Sequence, residues 1–178
     1  MRRRCSRSAV ERGVFSHRSA SFSSIFHTAT WMGPKEKVYL RGMPQRWYFL
    51  LRAPIDEAEK KRLEEHIRKA LQGWHTHGRL IDFEVSFPYD HYVAITAHTP
   101  VSGCATDHLF RTLIPLLQPL PTHYLLTIQE GKRKVESFYE IIKLKSSSTW
   151  RESWRVIEVV GGDLVARRLE ESSLVVHL

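Results

Sequence analysis

Apolar residues follow two spacings along this chain, and the spacing sorts most of it into strands and helices. Trp47-Tyr48-Phe49-Leu50-Leu51 is a short aromatic and aliphatic run ahead of Pro54, the signature of a buried strand. Asp56 then sits at a helix-capping position, with Glu57 and Glu59 in the first turn, where carboxylates are favoured. Leu63, Ile67, Ala70, Leu71 and Trp74 recur at three and four residues, predicting one apolar stripe on a helix of about 17 residues. The intervening Lys60, Lys61, Arg62, Glu64, Glu65, Arg68 and Lys69 read as its solvated face. Ile81, Phe83, Val85 and Phe87 alternate with Asp82, Glu84 and Ser86, and Val93, Ile95 and Ala97 alternate with Tyr92, Ala94, Thr96 and His98. Pro88-Tyr89-Asp90 turns the chain between them, so this is a hairpin of half-buried strands. A second helix is predicted from Ser102–Cys104 through Leu109, Leu113 and Ile114, and Pro115 lacks the donor to continue it smoothly. Pro119 and Pro121 mark a loop, His123–Ile128 a fourth strand, Glu130-Gly131-Lys132 a turn and Lys134–Ile142 a further strand.

Strand, helix, strand, strand, helix, strand folds most simply into an α+β ferredoxin-like split β-α-β-β-α-β domain. It is expected over residues 44–145, as one antiparallel sheet with both helices on one face. Residues 146–178 are read as a C-terminal tail of uncertain structure. Ser146-Ser147-Ser148 is linker-like, and Val156–Val160, Gly161-Gly162-Asp163 and Leu164–Leu169 suggest a hairpin, or a strand and short helix, without an evident packing partner.

Charge separates the remaining segment. Residues 1–43 hold nine Lys/Arg against Glu11 and Glu36, which accounts for +7 of the net +8 of the 178-residue chain. Their Arg/Ser/His composition fits a transit peptide, but the favoured reading is a disordered or spurious N-terminal extension, with Met43 as the working start. The basic pI is therefore weak evidence for a nucleic-acid surface on the folded part, and the strand aromatics Trp47, Tyr48 and Phe49 lack the basic-aromatic-Gly signature of an RNA-binding sheet. Two cysteines, Cys5 and Cys104, cannot make a thiolate-only zinc site, and such usage fits a reducing compartment, so a cytoplasmic location is expected. No apolar run is long enough to span a bilayer, so no membrane insertion is expected.

Candidate chemistry gathers in two motifs, Trp74-His75-Thr76-His77-Gly78 and Ser102-Gly103-Cys104-Ala105-Thr106-Asp107. In a split β-α-β domain the first helix ends where the second strand starts, and the third strand returns beside it to feed the second helix. The two motifs are therefore expected to be neighbours. A helix start offers free N–H groups and a positive dipole end. The Ser102-Gly103-Cys104 turn could hold a carboxylate or phosphate, or favour the thiolate of Cys104. The ligand-binding candidates are Trp74, His77, Gly78, Ser102, Gly103, Cys104 and Asp107. The catalytic candidates are Cys104 with His77 as base and Asp107 orienting it. The metal candidates are His75, His77, Cys104 and His108. Each has a plainer role. Trp74 completes a core stripe, Cys104 packs as a small buried residue, His77 bonds a carbonyl at the helix end, Asp107 favours a first helical turn, and the glycines serve turns. These structural roles rank above catalysis. There is no Gly-x-x-x-x-Gly-Lys-Ser/Thr loop, dinucleotide fingerprint, zincin helix or nucleophile elbow.

The stretch from Met43 to about Phe138 resembles a family of small proteins of unknown function, found mainly in Bacteroidetes-type bacteria and often labelled "ABC transporter ATPase". The resemblance rests on Trp74-x-x-His77-Gly78, on Ser102-Gly103-Cys104-x-x-Asp107 and on their separation. Where the family usually has Ser after the Cys, this chain has Ala105. The resemblance implies no established activity, and the absence of a Walker motif or ABC signature argues that the chain is not itself a P-loop ATPase. The expected function is a cytoplasmic binding or accessory module, with a small ligand or protein partner at the two motifs and without a cofactor. The alternatives are a small thiol-dependent enzyme using Cys104 with His77, and a component associated with an ABC transporter.

Overall fold

The computed structural model of the protein describes residues 44–173, and the N-terminal segment read as an extension lies outside them. The described residues form a mixed α+β fold in the order β1 (Gln45–Leu50), α1 (Glu57–Ala70), β2 (His75–Thr76), β3 (Arg79–Leu80), β4 (Phe83–Ser86), β5 (Tyr92–Ala97), α2 (Gly103–Leu117), β6 (Tyr124–Gln129), β7 (Lys132–Ser137), α3 (Phe138–Ser146), β8 (Arg155–Val160) and β9 (Asp163–Arg167).

The first sheet has the order β1-β5-β4, all antiparallel, with Trp47 opposite Ile95 and Val85 opposite Ile95 on the other side. That is the arrangement the hairpin predicts for three strands. α1 and α2 both cover one of its faces. Trp47, Phe49, Val93, Ile95 and Ala97 from the sheet meet Ile67 and Leu71 of the α1 region and Ala105, Leu109, Leu113 and Leu117 of α2. Fully burying an aliphatic or aromatic side chain of this kind is worth about 1.5–3 kcal/mol, so this cluster is the main store of stability in the fold.

The fourth expected strand does not join this sheet. β6 heads a second antiparallel sheet of order β7-β6-β8-β9 and is not a member of the first, although just ahead of it the Leu120 N–H reaches the Leu50 carbonyl at 2.8 Å. The reason lies in the alternate residues of β1 and β5. Tyr48, Leu50 and Tyr92 give the first sheet a second apolar face, and Leu126, Ile128, Val135, Ile157 and Leu164 of the second sheet cover it. α3 closes the far side of the second sheet through Ile141, against Leu125, Val156 and Leu169. The layers are thus helix pair, sheet, sheet, helix. The residues read as an uncertain tail supply two strands of the second sheet, with Gly161 and Gly162 turning the β8–β9 hairpin at φ of 61° and 92°.

Other boundaries also differ. The expected strand 134–142 is a strand only to Ser137. There Ser137 and Glu140 form a capping box, and α3 begins. α1 has the expected Asp56 cap with a reciprocal Glu59 bond, but it stops at Ala70, so Trp74 lies beyond it. α2 runs through Pro115, which lies on its exposed side.

Tyr89 and Asp90 both sit at φ 56°, left-handed for non-glycine residues, in the short turn before β5. Asp90 is held by two cations, Lys60 of α1 at 2.6 Å and Arg133 of β7 at 2.5 Å. The Lys60 hydrogen bond, seconded by Arg133, holds its carboxyl below the usual carboxylate range. One side chain therefore ties the helix layer to the second sheet.

Candidate functional site

The two motifs do meet, and the contacts between them are structural. After α1, Gly73 at φ 82° redirects the chain and Trp74 turns inward, leaving it 2% exposed. Its ring packs edge-on against Trp47 and Phe83, with centroids at 6.0 and 5.6 Å. Its Nε1–H donates to the Ala105 carbonyl at 2.8 Å, so the first motif grips the first turn of α2. Buried Thr76 makes the second link, its hydroxyl accepting the Ser102 N–H at 3.1 Å. Ser102 caps α2 in turn, its Oγ accepting the Ala105 N–H at 3.3 Å, while the Thr106 N–H bonds the Ser102 carbonyl at 2.9 Å. The N–H groups of Gly103 and Cys104 take part in no hydrogen bond among the described residues.

Thr76 and the backbone of Ala105 were not among the candidates, although they make the two cross-motif bonds. Only the small size of Ala105 hinted at its burial. It is 4% exposed, and its contribution is a main-chain carbonyl, so the link does not depend on the side chain at this position.

Several expected roles are corrected by these positions. Cys104 is exposed, because the buried phase of α2 is Ala105, Leu109, Leu113 and Leu117, and Cys104 precedes it by one residue. Asp107 lies past the first turn of α2 and is exposed. His77 does not cap α1. With Gly78 it forms the two-residue turn of the β2–β3 hairpin, at φ 47° and 76°, the positive pair that a primed hairpin turn requires. It is His75 that folds back onto a carbonyl, with Nδ1 2.8 Å from the Gly73 oxygen. His77 makes no hydrogen bond to Cys104 or Asp107, so the acid–base–thiol arrangement is not assembled. Nor is the metal set. Among the described residues no three His, Cys, Asp or Glu side chains are placed to hold a metal ion. His75 is turned toward Gly73, His77 occupies the hairpin tip, and Cys104 and His108 share the exposed side of α2.

The turn reading has a direct consequence. Gly78→Ala is expected to cost about 1 kcal/mol, because a Cβ is disfavoured at positive φ. His77→Asn should leave stability unchanged or raise it by a few tenths of a kcal/mol, since Asn tolerates the left-handed region better. Urea unfolding of the two variants checks both. A large loss in His77→Asn would show that the imidazole itself is needed.

Compared with protein-family models, with curated proteins and with solved structures, the chain matches none of them.

Proposed function

We propose that this chain is a cytoplasmic binding or accessory module whose partner surface is formed by the β2–β3 hairpin tip and the start of α2. One observation carries the reading. The bonds from Trp74 to Ala105 and from Ser102 to Thr76 fix the two backbones rigidly together, while His77, Cys104, Asp107 and His108 stand exposed around them. A rigid scaffold presenting uncommitted polar side chains suits recognition better than chemistry, which needs a nucleophile already paired with its base. The unused N–H groups of Gly103 and Cys104 suit a carboxylate or phosphate on the partner. In this reading the β1-β5-β4 sheet and its two helices are a split β-α-β unit that gave its fourth strand to the second sheet.

The rival is a thiol enzyme, and Cys104 decides between them. In a Cys5→Ser variant, iodoacetamide should modify Cys104 in the folded protein, because the residue is exposed. His77→Ala should change that rate by less than about twofold, since no bond joins the two side chains. A drop of tenfold or more would make His77 the base of an activated thiol and overturn the module reading. Titration with inorganic phosphate should move the amide resonances of Gly103 and Cys104. Unmoved amides would remove the anion from the proposal.

A further inference from the structure

A second cluster lies away from the two motifs, on the side of the second sheet that α3 covers. The register places Lys134, Thr127 and Val156 abreast across β7, β6 and β8. The next row of the same face holds Lys132 and Gln129, with Trp154 one step beyond the last β6–β8 pair, Ile128 with Arg155. Thr127 is 0% and Gln129 3% exposed, an unusual depth for polar side chains at a sheet end. The Gln129 amide donates to the Thr127 hydroxyl at 3.1 Å and to Glu136 at 3.4 Å. Lys132 and Lys134 make no ion pair among the described residues.

The segment between α3 and β8 brings two indoles to this cluster. Trp150 and Trp154 pack edge to face, with centroids 5.3 Å apart and planes at 75°. Trp154 is 8% exposed, and the Nε1 atoms of both rings are buried without an acceptor. In an edge-to-face pair only one ring presents its edge to the other's π face, so the pair can satisfy at most one of these donors. A buried donor left unpaired costs about 1–3 kcal/mol. Trp150 packs against Ile141, Val156 and Leu169, and the one ion pair that joins the segment to the sheet is Arg151 with Glu130 in the β6–β7 turn, both side chains mostly exposed. An exposed pair of this kind is worth no more than about 1 kcal/mol. The cover thus has a single, weak polar latch at its edge and carries unmet donors on its inner side.

We propose that the Trp150–Trp154 segment is a flap over a binding site for a small anion, a carboxylate or a phosphate. The anion's oxygens accept from the indole N–H groups and from Lys132 and Lys134. Two buried indole donors and two uncommitted ammonium groups ask for an acceptor-rich, negatively charged ligand, while the Gln129 amide is already spent on Thr127 and Glu136. The flap opens by parting Arg151 from Glu130 and closes when the ligand supplies the missing acceptors.

The indole N–H resonances of the uniformly 15N-labelled full chain report on this directly, with Trp150→Phe and Trp154→Phe used for assignment. Inorganic phosphate and acetate serve as separate probes. The expected result is a saturable downfield shift of the Trp150 or Trp154 indole signal with at least one of them, while Trp74, already bonded to Ala105, does not move. The double variant Lys132→Gln/Lys134→Gln, whose changes lie on the exposed edge strand, should weaken that binding about tenfold or more. Glu130→Gln should speed exchange of the two indole protons with solvent. No shift with either probe, a shift unaffected by the double variant, or an equal shift of Trp74 would overturn the proposal. The amides of Gly103 and Cys104 are read in the same spectra, so this site and the α2 surface stand or fall separately.

Discussion

Trp74→Ala is expected to lower the unfolding free energy by roughly 3–5 kcal/mol, the range for emptying a large aromatic site in a packed core. The ring is 2% exposed and packed between Trp47 and Phe83, so neither water nor a neighbour can refill the space at low cost. Its loss also leaves the Ala105 carbonyl without the N–H that reaches it across the two motifs. Trp74→Phe separates the two effects. It keeps most of the ring contact and removes only the donor, which should cost about 1–3 kcal/mol. Urea unfolding at neutral pH measures both. If Trp74→Ala proved as stable as the parent chain, the indole would not be part of the core, and its place in a ligand platform would have to be reconsidered.

Stability should fall by about 2–3 kcal/mol as the pH rises from about 10 to 12, and Tyr92→Phe should abolish most of that fall. Tyr92 lies between the two sheets, 6% exposed, and burial pushes its phenol up to about 12 against a weaker opposing contribution from the Leu126 backbone. The unfolded chain releases this proton near pH 10, while the folded chain keeps it to about pH 12. Between those values the unfolded state binds fewer protons, so stability falls with rising pH. Below pH 10 the contribution is fully present. Tyr48 is shifted the same way, again chiefly by burial, and Lys60 is raised by its bond to Asp90, so both add to the alkaline loss with the same sign. The difference between the parent chain and Tyr92→Phe therefore isolates the larger phenol. A pH dependence identical in the two proteins would show that Tyr92 is hydrated and that the sheets do not seal over it.

The candidate surface shows how far side-chain identity alone carries. The motif residues are drawn together by the path of the chain, and the sequence pattern predicts that. Yet their roles invert what residue type suggests. Cys104, the residue most readily assigned to the core, is exposed, and unremarked Thr76 is buried and bonded. A helix boundary misplaced by a few residues is enough to do this. Trp74 falls just past α1 rather than on its stripe, and the residues after it become a hairpin turn rather than a helix cap.

What the chain determines by itself is local. Alternation marks Phe83–Ser86 and Tyr92–Ala97, a Pro-containing turn joins them antiparallel, Asp56 and Ser102 cap their helices, and the two-residue turns at Glu130-Gly131 and Gly161-Gly162 close their hairpins. These depend on backbone sterics and on hydrogen bonds within a few residues, which a short window of sequence contains. Which sheet receives β6, whether residues 155–167 find a partner, and which side of β1 counts as interior were settled only by tertiary packing. Tyr48, Leu50 and Tyr92 read as the outer residues of a one-sided sheet until a second sheet covers them. An apolar residue carries no record of which of two possible surfaces will bury it. That choice is made by the total area the whole chain removes from water, which is non-directional and non-local.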